Sequence, residues 1–244
     1  MSDKISILGV GMTNDTMQGC AERILQMMRG DRFHYVCTPN SEILHRAHHN
    51  AEFKQILNQS DLNAPDGIGV VYAAKILGTP LQERVAGLDL LCKVLGQFAG
   101  SVYLFGGKPG IAEKAAEHLI KTYPAISIVG TNDGYFDSEK EKQIVDDINR
   151  KQPDLLLVCV GAPKQELWMY QNKDILKAKV AMGLGGTLDV FAGTEARAPQ
   201  FYIDHGLEWF YRLIHQPQRF FRMLALPAFM IEVLWDKFFG RKQP

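Results

Sequence analysis

Asp66 sits between Pro65 and Gly67, just after the short apolar run Leu62 to Ala64. A carboxylate held at such a strand end can accept a proton from an attacking hydroxyl. The same position also suits an Asx-turn or a helix N-cap. Arg84, within Gln82-Glu83-Arg84-Val85-Ala86-Gly87, is a cation in a loop between two helical patterns. It can hold a phosphate bidentately, or pair with Glu83 or Asp89 at the surface. Gln165 opens a helix after Gly161-Ala162-Pro163-Lys164, where it can bond a sugar or belong to a solvated first turn. Arg212, Arg219 and Arg222 lie among aromatics near the C-terminus. The last two are spaced to share a helix face, and arginines bind diphosphates well. His45, His48 and His49 imitate a metal cluster, but no carboxylate or cysteine nearby is spaced to complete one. They read as structural or solvated histidines, and no metal site is expected.

The elements around these residues repeat one order: apolar run, glycine-rich or polar turn, helical pattern. Strands are expected at Ile5 to Val10, Phe33 to Cys37, Leu62 to Ala64, Val102 to Phe105, Ile126 to Gly130, Leu155 to Val160 and Val180 to Leu184. Asn14 is the expected cap of the first helix, and a helical stretch from Ser41 to Leu57 should break near Asn50. Strand, turn and helix in this order mean an α/β fold with a mainly parallel sheet and helices on both faces. Ligands of such sheets bind at the carboxyl ends of the strands. Those ends carry Thr38-Pro39-Asn40, Pro65-Asp66-Gly67, Gly106-Gly107, Gly161-Ala162-Pro163 and Gly185-Gly186. Glycines there let a backbone approach a phosphate, and the next helix offers free N–H groups. A nucleotide or phosphate ligand is the expectation. Gly9-Val10-Gly11-Met12-Thr13-Asn14 imitates a dinucleotide fingerprint, but Asn14 replaces its third glycine and no acidic residue ends the second strand, so an oxidoreductase reading is weak. Asp-x-Asp, a common metal–diphosphate clamp, is absent from the sequence, which favours a metal-free site.

The chain has 244 residues with 27 basic and 27 acidic side chains. A neutral chain has no global attraction for nucleic acid, so any anionic ligand must meet a local cluster. Four dispersed cysteines exclude zinc ribbons and CxxC redox motifs, and all four read as reduced core residues. The N-terminus leads straight into a strand and no run of 18 apolar residues occurs, so a cytoplasmic protein without signal peptide or membrane span is expected. Residues 205–244 differ from the rest: they hold nine aromatics and carry a net charge of +3. They read as a helical appendage on a 1–204 core, broken near Pro217 and Pro227. Its aromatic, cationic composition suits a bilayer interface, packing on the core, or contact with a second copy of the chain.

Six strings, in order, then carry a resemblance. They are Thr38-Pro39-Asn40-Ser41-Glu42, Pro65-Asp66-Gly67-Ile68-Gly69, Glu83-Arg84-Val85-Ala86-Gly87, Gly134-Tyr135-Phe136, Gly161-Ala162-Pro163-Lys164-Gln165-Glu166 and Leu207-Glu208-Trp209-x-Tyr211-Arg212-Leu213. Together they resemble the TagA/WecG/CpsF glycosyltransferases over almost the whole chain. The resemblance implies a Rossmann-like core with a C-terminal appendage that meets the membrane. It implies a bacterial, inverting enzyme needing neither metal nor cofactor. Such an enzyme moves N-acetylmannosamine from its UDP conjugate to undecaprenyl-diphosphate-linked N-acetylglucosamine in envelope-polymer synthesis, as in the teichoic acid linkage unit. It would work as a peripheral protein on the inner face of the cell membrane. Carried over by position, Asp66 is the general base for the acceptor 4-hydroxyl. Thr38, Asn40, Arg84 and Gln165 line the donor pocket, with Tyr135, Gly185, Gly186 and Asp189 toward its nucleotide end. Arg212, Arg219 and Arg222 hold the acceptor diphosphate. A relative using UDP-glucose or another UDP-hexose, and a non-catalytic nucleotide-binding scaffold, are the alternatives.

Overall fold

The computed structural model describes residues 4–215 and 220–240. The chain opens with a hairpin, β1 (Lys4–Ile7) and β2 (Val10–Thr13), rather than the single strand expected over Ile5 to Val10. Leu8 and Gly9 both take positive φ, 51° and 84°, which is the two-residue turn that matches strand twist. The apparent dinucleotide fingerprint is thus a hairpin arm, not a strand-to-helix turn. Helix α1 (Met17–Met27) is capped by Thr16, whose hydroxyl accepts from the Gly19 amide. Asn14, the expected cap, instead accepts from the Gln82 amide.

The remaining core alternates as the composition of its runs requires. β3 (His34–Cys37) leads to α2 (Ser41–His48) and α3 (Ala51–Asn58), with Asn50 capping the second at the expected break. Next come β4 (Leu62–Asn63), α4 (Ile68–Leu77), α5 (Gly87–Leu95), β5 (Gly100–Gly106), α6 (Ile111–Thr122), β6 (Ile126–Asn132) and α7 (Ser138–Lys151). β7 (Leu155–Cys159), α8 (Lys164–Asn172), β8 (Val180–Gly183) and the short α9 (Thr187–Phe191) complete it. Six strands form one sheet in the order β4-β3-β8-β7-β5-β6, and every pair is parallel. A parallel sheet must be covered on both faces, so its strands are apolar throughout; β7 is buried at all five positions. One face packs against α1, α5, α6 and α9. The other packs against α2, α3, α4, α7, α8 and the hairpin. The four cysteines are free thiols, and burial pushes Cys20 and Cys159 up to about 12.

The C-terminal segment folds as α10 (Gln200–Asp204), α11 (Glu208–His215), α12 (Phe220–Met223) and α13 (Ala225–Phe239). The break expected near Pro227 falls at Leu224, because proline has no N–H to give the carbonyl four residues back, at Met223. Pro217 lies outside the described residues. α13 lies on α2 and α4 and drives Phe229 and Val233 fully into the core. Its other side exposes Ile231, Leu234, Trp235 and Phe238 at helical spacing. No helix among the described residues is long and apolar enough to cross a membrane. Phe229→Ala is expected to cost about 3–5 kcal/mol of unfolding free energy in a urea titration. Ile231→Ala, on the exposed side, should cost less than about 0.5 kcal/mol.

Candidate active site

The loops leaving β3 and β4 are joined through their backbones. The Asp66 amide donates to the Pro39 carbonyl at 3.1 Å, the Val85 amide to Pro65 at 2.9 Å, and the Ala64 amide to Cys37 at 2.9 Å. These three bonds bring Thr38-Pro39-Asn40, Pro65-Asp66-Gly67 and Glu83-Arg84-Val85 to one rim. Asp66 is half-buried there. It is not the cap of α4: that position belongs to Gly67, at φ 95°, where a side chain would be strained. Thr38 is buried and its hydroxyl donates to the Gly183 carbonyl at 2.9 Å, tying β3 to the end of β8. Gly87 lets the first turn of α5 close on this point: a Cβ there would stand 3.1 Å from the Thr38 methyl and 3.3 Å from Leu184. Asn40 caps α2, its side-chain oxygen accepting from the Ile43 amide at 3.0 Å.

Gln165 is buried beside β8, and both ends of its amide are used. Its oxygen accepts from the Gly185 amide at 2.9 Å, and its nitrogen donates to Glu166 at 2.7 Å. The solvated alternative for Gln165 is therefore excluded. Glu166 is fully buried, and its second oxygen has no hydrogen-bond partner. Burial pushes its carboxyl up to about 7, with the Gln165 bond pulling partly back. Glu166 stands in one of the six strings, yet its sequence position suggests no role, because burial of a charged residue leaves no mark in spacing.

Arg84 pairs with neither Glu83 nor Asp89. Its guanidinium donates to Glu208 of α11 at 2.6 Å, while Glu83 accepts the Met17 amide and Asp89 pairs with Arg197. One Arg84 nitrogen is thus held by the tail, leaving other donors of the planar fork to face a ligand. Arg222 makes a two-bond contact with Glu42 of α2, at 3.0 and 3.2 Å. Arg212 is placed by its backbone on α11, its side chain outside what the structure describes, and Arg219 lies outside the described residues. Glu42 and Glu208 are the residues that sequence reasoning missed, although both stand in the six strings.

The other half of the rim derives from topology. β7 sends its chain to α8 on one face and its neighbour β5 to α6 on the other, which opens a crevice at their carboxyl ends. Gly106 and Gly107 sit there; a Cβ on Gly106 would collide with the Cys159 carbonyl at 2.2 Å. The Gly134 amide donates to Gly107, and Lys164 of α8 donates to the Gly134 carbonyl, so the Tyr135 loop folds back toward this crevice. Tyr135 itself is 60% exposed and belongs to the strand edge opposite Asp66. Asp189 comes after the turn Gly185-Gly186, in the first turn of α9; burial and the neighbouring Glu195 raise its carboxyl above the usual range. The structure therefore brings Thr38, Asn40, Asp66 and Arg84 together, joins Gln165 and Gly185 to them through β8, and sets Tyr135 apart.

The family model described as the glycosyl transferase WecG/TagA/CpsF family matches residues 5–243. The chain belongs to that family. As a glycosyltransferase it is 37% identical over 203 residues to the N-acetylglucosaminyldiphosphoundecaprenol N-acetyl-beta-D-mannosaminyltransferase of Bacillus spizizenii, covering 82% of this chain and 78% of that enzyme. The enzyme of the same name from Bacillus subtilis is 35% identical over 205 residues, covering 83% and 79%. That from Staphylococcus aureus is 34% identical over 235 residues, covering 94% of this chain and 92% of the relative. The family match, over residues 5–243, takes in both the strand-end rim and the tail.

Glu166 gives this glycosyltransferase a measurable pH signature. A carboxyl raised in the folded state contributes stability that is present below its unfolded value, near 4.5, and lost as pH rises through about 7. Relative to wild type, Glu166→Gln should gain about 2–3 kcal/mol between pH 5 and pH 8, read from urea midpoints at each pH.

Proposed function

We propose that this glycosyltransferase moves N-acetylmannosamine from UDP-N-acetylmannosamine to the 4-hydroxyl of undecaprenyl-diphosphate-linked N-acetylglucosamine, with inversion and without a metal. The observation that carries the reading is the stitched rim, which sets Asp66 beside Thr38, Asn40 and Arg84 at the carboxyl ends of β3 and β4. The names of the relatives support the acceptor and the transferred sugar.

In this reading Asp66 takes the proton of the acceptor 4-hydroxyl as its oxygen attacks C1 of the donor sugar. The new C1–O bond forms on one face while the bond to UDP breaks on the other, and UDP leaves with the electron pair. Inversion results from attack opposite the leaving group. The diphosphate gathers charge as it departs, and the Arg84 guanidinium, beyond the one nitrogen that Glu208 holds, offers fixed donors for it. The absence of any Asp-x-Asp pair from the sequence supports a site in which these donors replace a cation. Gln165, locked between Gly185 and Glu166, fixes the turn after β8 against which the nucleotide part rests. Gly185, Gly186, Asp189 and Tyr135 belong to that side, toward the crevice between β7 and β5. Arg222 would exchange the Glu42 carboxylate for the acceptor diphosphate, a role that the resemblance gives to Arg212 and Arg219 as well.

The acceptor's lipid remains in the bilayer, so the site has to be carried to it. The exposed face Ile231, Leu234, Trp235 and Phe238 on α13, joined by Trp209, Phe210 and Phe220, supports peripheral attachment to the inner face of the cell membrane.

UDP release from UDP-N-acetylmannosamine with a lipid-diphosphate N-acetylglucosamine acceptor, in EDTA, tests the chemistry. Wild type should turn over, and Asp66→Ala should fall at least ~100-fold. Equal rates in both proteins would remove Asp66 from the reaction, and turnover with UDP-glucose alone would replace the donor. Sedimentation with anionic vesicles tests attachment: exchanging Trp235 and Phe238 for serine should release the protein to the supernatant at unchanged thermal stability.

A further inference from the structure

His45 of α2 and His49 at its C-cap stand one turn apart, and α13 delivers Glu232 between them. This carboxylate lies 183 positions from His49, which is why local spacing did not supply it. The Glu232 Oε1 atom is 2.8 Å from His45 Nδ1 and 2.7 Å from His49 Nε2, and the three ligand atoms lie within 4.8 Å of one another. The His49 contact is a hydrogen bond. The His45 contact is not: Nδ1 is shut off from solvent without a hydrogen-bond partner, and so is the second oxygen, Glu232 Oε2. A ring nitrogen and a carboxylate oxygen are thus buried side by side with unused lone-pair capacity.

We infer that His45, His49 and Glu232 form a binding site for a divalent transition-metal ion of the zinc type, which fastens α13 to α2. Two imidazoles and one carboxylate suit Zn²⁺ and disfavour Mg²⁺ or Ca²⁺, which take oxygen ligands. Tetrahedral zinc needs its ligand atoms about 3.3 Å apart, so the two Glu232 contacts widen by about half an ångström as the carboxylate turns, and the two histidine nitrogens, which lie within 4.8 Å of each other, close on the ion by small ring rotations. His49 is 62% exposed, so the fourth position opens to water and the ion has an entry path. The site is structural rather than catalytic. It sits at the C-terminal end of α2, while Asn40 caps the start, about 7 to 14 Å away along the helix. The ion takes no chemical part in the proposed transfer reaction, whose assay runs in EDTA.

The test uses the full chain, stripped with EDTA and dialysed, in calorimetric titration with ZnCl₂ and in thermal melts. Wild type should bind one Zn²⁺ per chain and melt higher with it, and MgCl₂ should do neither. Losing a ligand should weaken binding by at least the ~10–100-fold that loss of an outer-shell partner costs, both in His49→Ala and in Glu232→Gln. His49 is exposed, so its variant should keep the wild-type fold. His48→Ala should bind as wild type does. Absence of saturable binding would overturn the site. So would binding that survives Glu232→Gln but falls in His48→Ala, the result of a surface histidine pair.

Discussion

The bond from the Asp66 amide to the Pro39 carbonyl holds two strand ends in register at their point of exit. β4 is only two residues long and pairs on one side only, with β3, so the sheet itself does little to fix the loop that carries Asp66. The loop-to-loop bonds do that instead. They cost no buried polar group, because each amide and carbonyl finds its partner in the neighbouring loop. Thr38 extends the same logic sideways to β8, and Gln165 carries it to Gly185. A chain of hydrogen bonds thus runs across the strand ends, and the side chains proposed for chemistry hang from it.

The tail belongs to this arrangement more closely than its composition suggests. Phe229 and Val233 are as buried as any strand residue, and two ion pairs, Arg84 with Glu208 and Arg222 with Glu42, flank the rim. Each pair joins a residue of the core strings to one of the tail. The segment is amphipathic toward the protein as well as away from it. One stripe of α13 completes the core, and the opposite stripe stays apolar in water.

The sheet, its parallel sense and nearly all helices were legible because a strand buried on both faces reads as a continuous apolar run. Two elements were not. Ile5 to Val10 reads as one strand because Leu8 contributes its apolar side chain while its backbone turns. Asn14 and Thr16 are both good caps, and the choice was made by Gln82, 68 positions away. At the site, Asp66 and Thr38 were legible as turn residues at strand ends, and Gln165 as the opening of a helix. The partners of Arg84, His49 and Gln165 were not, since Glu208 and Glu232 approach from the far end of the chain and Glu166 declares itself only by burial. Spacing reports neighbours on one element; contacts between distant elements need the fold.

Eight residues make α2, and an isolated helix of that length is marginal in water. It persists because it is held at both ends and along one side. Asn40 caps its start, Glu42 grips Arg222, and His45 and His49 meet Glu232. Two of those three attachments come from the tail. Loosening the tail would therefore fray α2 from its far end and unsettle Asn40 at the other. The donor side of the rim thus owes part of its order to contacts with a segment 180 positions further along the sequence.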